Sequence, residues 1–272
     1  MSKLNEENLA CIPARDCKLV ASEEKIKLVK TKNKHPVFIV GFLGAGLVGN
    51  IVVSELVNQL KMDQIGFVNT VDLPPIAIFY DGILKHPFRL YYSEKHSIVL
   101  AQCEVPFSKS STYQDLARLL SDWALKIGID EVCTIQGISG PEDAFPPVNP
   151  PVYVAAESEI LERLKKESGV QILPRGLVLG PEAALLNEGL SNRLNCYALL
   201  VPVSPQIPSP DGASAIIHEL NKIYSLNIQT TQLMEDAQKI RDKLMELNQK
   251  TQQQHSQISE LERIEPVGNI YL

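Results

Sequence analysis

The stretch Val37-Phe38-Ile39-Val40-Gly41-Phe42-Leu43-Gly44-Ala45-Gly46-Leu47-Val48-Gly49 decides the fold. Its first four residues are apolar throughout and too few for a helix, so they read as a buried strand. A glycine turn follows, and Asn50 to Leu60 reads as a helix. Strand, turn and helix together open an α/β domain. Gly44, Gly46 and Gly49 have the GxGxxG spacing that lets a backbone approach a pyrophosphate. The same three glycines also suit a tight turn and close packing of a helix on a sheet.

The next strand separates these two readings. Ile65-Gly66-Phe67-Val68 ends at Asn69-Thr70, and Asp72 stands just ahead of Pro74-Pro75. A dinucleotide site needs an acid at the end of that strand, to hold the ribose hydroxyls, and a crossover helix after it. Here the strand ends without an acid. It leads to Ile76–Tyr80 and Phe88–Tyr92 on either side of Asp81-Gly82, which reads as a long β-hairpin with its tip at Asp81 to Pro87. The glycines are therefore read as packing residues, and no cofactor is expected.

Further along, strands are expected at Ser97–Val105, Glu131–Gln136, Val152–Ala156, Val170–Leu173, Leu177–Leu179 and Cys196–Val203. Helices are expected from Ser111 or Thr112 to Ile127, closed by Gly128, and from Ser158 to Lys166. Two more should run from Pro181 to Leu190 and, capped by Asp211, to Tyr224. The alternation predicts a three-layer αβα sandwich with a mainly parallel sheet and one inserted β-hairpin. Residues 1–34 read as an N-terminal arm with an edge strand near Ile26–Val29, and 35–228 as the core domain.

Composition narrows the function. A net charge of −6 and 44% hydrophobic residues fit an ordinary globular protein and not a nucleic-acid binder. Lys25 to Lys34 is basic but interleaved with Ile26, Leu28 and Val29, as in a solvated strand or arm. Cys11, Cys17, Cys103, Cys133 and Cys196 are scattered, without CxxC or a zinc spacing to histidine, so no metal is expected. The polar start, the absence of a long apolar run and the scattered thiols lead to the expectation of a soluble cytoplasmic protein without a membrane partner. There is no Walker lysine, GxSxG or HExxH. Ser139, His86, Glu104 and the pair Glu142-Asp143 do not form a recognisable catalytic set, and the chain is read as non-enzymatic.

Beyond Thr230 the character changes. No Gly or Pro occurs up to Arg263. Leu233, Ile240, Leu247, Gln254 and Leu261 recur every seven residues, with Ala237, Leu244, Thr251 and Ile258 four positions later. That spacing predicts a long coiled-coil helix over 229–264, although a helix laid back on its own domain would share it. A break at Glu265-Pro266-Val267-Gly268 leaves a tail, 265–272, ending Ile270-Tyr271-Leu272.

The glycine turn followed by Leu73-Pro74-Pro75-Ile76-Ala77, Asp81-Gly82, Trp123–Ile129, Gln136-Gly137-Ile138 and Gly180-Pro181 resembles the proteasome assembly chaperone family, in the branch of its second subunit and archaeal homologues. The resemblance covers roughly Pro36 to Leu226. It implies a nucleoside-phosphorylase-like fold without retained catalysis, and the core proteasome as partner. It also gives the tail a meaning, since a hydrophobic residue, tyrosine and a terminal residue form a proteasome-binding ending. Ile270, Tyr271 and Leu272 would dock on the α-ring, the ring of Tyr271 in a slot between subunits and the carboxylate paired with a lysine. A homo-oligomer would present several such tails at once. The competing expectation is a nucleotide- or nucleoside-handling enzyme on the same fold.

Overall fold

The computed structural model describes residues 9–14, 17–22, 24–25, 36–139 and 148–243. Strand β3 (Val37–Gly41) lies within a ten-stranded sheet and is buried along its whole length. Phe38 and Val40 face one core, while Val37 and Ile39 face the other. A strand covered on both faces needs apolar residues at every position, which is why its sequence shows no alternation.

The remaining strands are β1 (Leu9–Ala14), β2 (Cys17–Ser22), β4 (Asp63–Thr70), β5 (Ile78–Tyr80), β6 (Ile83–Lys85), β7 (Phe88–Ser93) and β8 (Ile98–Cys103). They are followed by β9 (Glu131–Ser139), β10 (Tyr153–Ala156), β11 (Gln171–Ile172) and β12 (Asn195–Val203). The sheet order is β1-β2-β4-β7-β8-β3-β9-β12-β10-β11.

Helices α1 (Val48–Gln59), α3 (Ser158–Glu167) and α5 (Pro210–Ile223) cover one face through Val52, Leu56, Ile160, Leu164, Ile216 and Leu220. Helices α2 (Thr112–Ile127) and α4 (Pro181–Ser191) cover the other through Leu116, Trp123 and Leu185. Trp123 meets Phe38 edge to face, with ring centroids 5.6 Å apart. The three layers match expectation.

The mainly parallel sheet does not. Five of its nine pairings are antiparallel, so the sheet is mixed. Two local events cause four of these antiparallel pairings, and the fifth is β10, which runs against β12. First, β1 pairs antiparallel with β2 and β2 with β4, so these two strands of the supposed arm belong to the sheet. Cys17, Leu19 and Ala21 enter the core beneath α2, an alternation hidden by the polar residues around it. The strand expected at Ile26–Val29 lies outside the described residues.

Second, β4 returns through β7 without a crossover helix. β5 and β6 pair only with each other, closed by Asp81 (φ 50°) and Gly82 (φ 76°), the two positive φ angles of a type I′ turn. The single long hairpin is thus a short one, and β7 lies between β4 and β8 with Phe88, Leu90 and Tyr92 buried.

Smaller differences follow the same physics. Leu177–Leu179 is not a strand, and Leu177 stands 87% exposed. Ser209, not Asp211, caps α5, its hydroxyl accepting the Gly212 N–H at 3.1 Å with Pro210 in the first helical position. Asp211 is instead ion-paired to Arg241, on a helix over residues 231–243 that we label α6. There Leu233 joins the core and Ala237 is buried, while Ile240 is half-buried. The first seam positions of the expected coiled coil therefore pack on their own domain. Gln59 and Gln229 exchange two hydrogen bonds of 2.8 Å, so the domain does not end at 228. Leu244, Leu247, Ile258, Leu261 and the tail lie outside the described residues.

Candidate protein-interaction face

β3, β4, β8, β9 and β12 run in one direction, so their C-terminal ends share one edge of the sheet. The glycine turn lies on this edge. Gly46 has φ 65°, and its carbonyl accepts the Ser209 N–H at 2.8 Å. At Gly49 a Cβ would stand 3.0 Å from the Ile135 carbonyl oxygen and 3.1 Å from Gly41 Cα. Strand and helix therefore meet backbone to backbone, and a side chain there would have to push backbone aside by a few tenths of an ångström.

Next to the turn sits a carboxyl. Glu182, in the first turn of α4, is 2% exposed, and its Oε1 has no hydrogen-bond partner among the described residues. This oxygen lies 3.9 Å from where a Gly44 Cβ would be. Burial pushes the Glu182 carboxyl up to about 7. A phosphate seated on the turn would face this acid at close range and be repelled once it ionises. Asp72 gives no help with a ribose: it is buried, accepts the Thr112 hydroxyl and pairs with Lys109 at 3.1 Å. The Thr112 and Lys109 hydrogen bonds hold its carboxyl below the usual carboxylate range. Its role is to fasten the loop after β4 to the start of α2.

The other candidates are equally committed. Glu104 accepts from Arg89 and from the Tyr80 hydroxyl. Arg89 is 2% exposed and also donates to the Tyr91 hydroxyl at 2.6 Å, the His86 carbonyl at 2.6 Å and Gln102 at 3.1 Å. Its guanidinium lies 5.9 Å from the Tyr80 ring centroid. His86 stacks on Phe67 at 4.6 Å, and burial lowers its basicity. Ser139 ends β9, exposed; Glu142 and Asp143 lie outside the described residues. Among the described residues, no group of three or more acid, His or Cys side chains could hold a metal, and no helix is long and apolar enough to cross a membrane.

What this edge offers is exposed apolar surface. Phe79 (66%), Leu84 (72%), Leu177 and Leu179 (71%) project into solvent, with Ile76, Ile83 and Val148 also exposed. Leu43 and Leu47, in the glycine turn, are also exposed at this edge. Several exposed apolar side chains at one edge are the usual mark of an interaction surface. Sequence reading missed it because strand-like runs such as Ile76–Tyr80 and Leu177–Leu179 look the same whether they are buried or exposed. The available signal was the pair of prolines and the Asp-Gly turn, which leave a segment so short that of Ile76, Ile78, Phe79 and Ile83 only Ile78 packs on the core.

The opposite edge is polar. There a cleft of about 420 Å³ is lined by Glu131, Glu159, Arg163, Asn195 and Tyr224, with Val37 and Ile160 as apolar walls. Glu131 accepts from Arg163 and, at 2.7 Å, from the Tyr224 hydroxyl, which also bonds Tyr197.

The chain is thus an α/β protein whose mixed sheet lies between two helical layers, with exposed apolar side chains at one edge. The PAC2 family's sequence profile matches residues 38–248, and the chain belongs to that family. A crystal structure of a Thermoplasma acidophilum protein of unknown function is 30% identical, with a TM-score of 0.69, covering 88% of this chain and 95% of that one. PbaA of Pyrococcus furiosus, described as an archaeal homologue of proteasome-assembly chaperone, is 26% identical with a TM-score of 0.70, covering 91% and 100%. PbaB of the same organism, an archaeal proteasome activator, shares the fold at 22% identity and a TM-score of 0.70, over 86% of this chain and 99% of that one.

Proposed function

We propose that this chain is an ATP-independent, non-catalytic proteasome-binding protein that acts as assembly chaperone, activator of the core particle, or both. The observation that carries the reading is its likeness to PbaA over nine-tenths of the chain at 26% identity. Ile270, Tyr271 and Leu272 are the docking residues: the Tyr271 ring enters a slot of the α-ring, and the Leu272 carboxylate pairs with a lysine there. The segment from Leu244 through Leu247, Ile258 and Leu261 carries the tail away from the domain as a helix, and several copies in one cytoplasmic oligomer bind by avidity.

Capture of core proteasome by the tagged full chain tests this. Loss of capture on deleting 270–272 and on Tyr271→Ala is the expected result, and undiminished capture by both variants overturns the tail assignment. The glycine turn favours a second reading, a nucleotide- or nucleoside-handling enzyme. A melting shift of several degrees with a nucleotide, abolished by Gly46→Val, would establish that reading instead.

A further inference from the structure

The glycine turn and the end of α6 are joined by direct contacts. The Gly46 carbonyl accepts the Ser209 N–H at 2.8 Å, and a Cβ on Gly46 would stand 3.0 Å from Val203 Cγ2 and 3.2 Å from Ser209 Cβ. The start of α5 is therefore seated on the turn. Two residues after Ser209 comes Asp211, 3% exposed, whose Oδ2 accepts from Arg241. Arg241 also donates to Gln238 at 2.9 Å, within α6. Ahead of the other end of α6, Gln229 is bonded to Gln59, the last residue of α1. Helix α1 begins at the glycine turn and ends at the opposite edge, whereas α5 begins where β12 ends. So α6 runs from the polar edge to the apolar one, and residue 244 continues the chain from the edge that carries the turn.

We infer that the glycine turn is the seat of the C-terminal segment: it holds the start of α5 where Asp211 grips Arg241, and so fixes where residues 244–272 leave the domain. The grip is a buried ion pair, one and two helical turns beyond the buried Ala237 and Leu233. A side chain at residue 46 would press on Val203 and Ser209 and shift Asp211 away from Arg241, at a φ of 65° that already disfavours one. The glycines thus serve the far end of the chain instead of a phosphate. One consequence rests on the proteasome reading: tails that bind by avidity engage together only where their points of departure suit the slots.

The test is hydrogen–deuterium exchange of the full-length chain, resolved by peptide mass. Gly46→Ala and Arg241→Gln each speed exchange across 231–243 by about tenfold or more, beyond any change in β3 and β9. Arg241→Lys, which keeps the charge, retains part of the protection. Gly49→Ala meets Ile135 and Gly41 instead of Ser209, and leaves 231–243 as in the wild type. Adding Gly46→Ala to Arg241→Gln brings little further acceleration, because both act through one contact. Exchange in 231–243 that ignores Gly46→Ala overturns the inference. So does equal acceleration by Gly49→Ala, or effects of Gly46→Ala and Arg241→Gln that simply add. Capture of core proteasome by Gly46→Ala should fall about tenfold, whereas deletion of 270–272 leaves exchange in 231–243 unchanged. A wild type that captures no proteasome rejects the proteasome reading alone, and exchange still decides the role of the turn.

Discussion

The two edges of the sheet pair their buried carboxylates differently. At the edge where β3, β9 and β12 begin, the buried Glu131 pairs with the half-exposed Arg163 in an open cleft, with Glu159 beside them. At the edge where these strands end, the cation of the pair is buried too: Arg89, 2% exposed, holds Glu104. Glu182 is buried there as well, while Phe79, Leu84, Leu177 and Leu179 stand exposed. Exposed apolar side chains gathered at one edge are the usual mark of an interaction surface. The buried charges give its loops a fixed shape that apolar contacts alone would leave loose.

The largest test of this contrast is Arg89→Ala. It strands Glu104 and loosens Tyr80, and a loss of about 3–5 kcal/mol in urea unfolding is expected, as for a broken buried pair. Glu182→Gln acts in the opposite direction. The folded-state carboxyl titrates at about 7 against an ordinary 4.5, so the folded chain holds an extra proton between those values. Stability therefore falls as pH rises through that window and levels off above it. The glutamine variant should gain up to about 3 kcal/mol over wild type at pH 8, and nothing at pH 4.5 and below. Gly49→Ala forces a methyl against the Ile135 carbonyl and should cost about 1–3 kcal/mol in the same assay. At the polar edge, Arg163→Ala removes a half-exposed partner from the buried Glu131, which keeps the Tyr224 hydroxyl, and should cost about 1–2 kcal/mol. A cost there equal to that of Arg89→Ala would erase the distinction between the edges.

Much of the fold could be read from the sequence because its signals were local. The buried strand β3, the apolar stripe of α2 closed by Gly128 and the Pro181 start of α4 each carry their own punctuation. Strand direction does not. Whether the chain after β4 crosses over or turns back depends on where Phe88, Leu90 and Tyr92 find burial, which is a long-range matter. The N-terminal hairpin escaped notice because six residues with one lysine, Cys17 to Ser22, give too short an alternation to stand out. The stripe of Leu233 and Ala237 was visible, but an apolar seam does not name its partner, and here the partner is the domain itself. At the site, Asp72 and Glu104 were noticed as acids. Their tethering of loops depends on Thr112, Lys109, Arg89 and Tyr80, which are distant in sequence.

The buried thiols offer a clock. Cys17, Cys103 and Cys196 belong to the core under α2 and α4, and Cys133 to the core under α1, α3 and α5. Burial pushes Cys103 and Cys196 up to about 12, so at pH 8 only on the order of one molecule in 10⁴ carries either as thiolate. Alkylation at these positions must await opening of the layer that covers them. Mass-resolved labelling over time would then show whether the two helical layers lift together or one before the other.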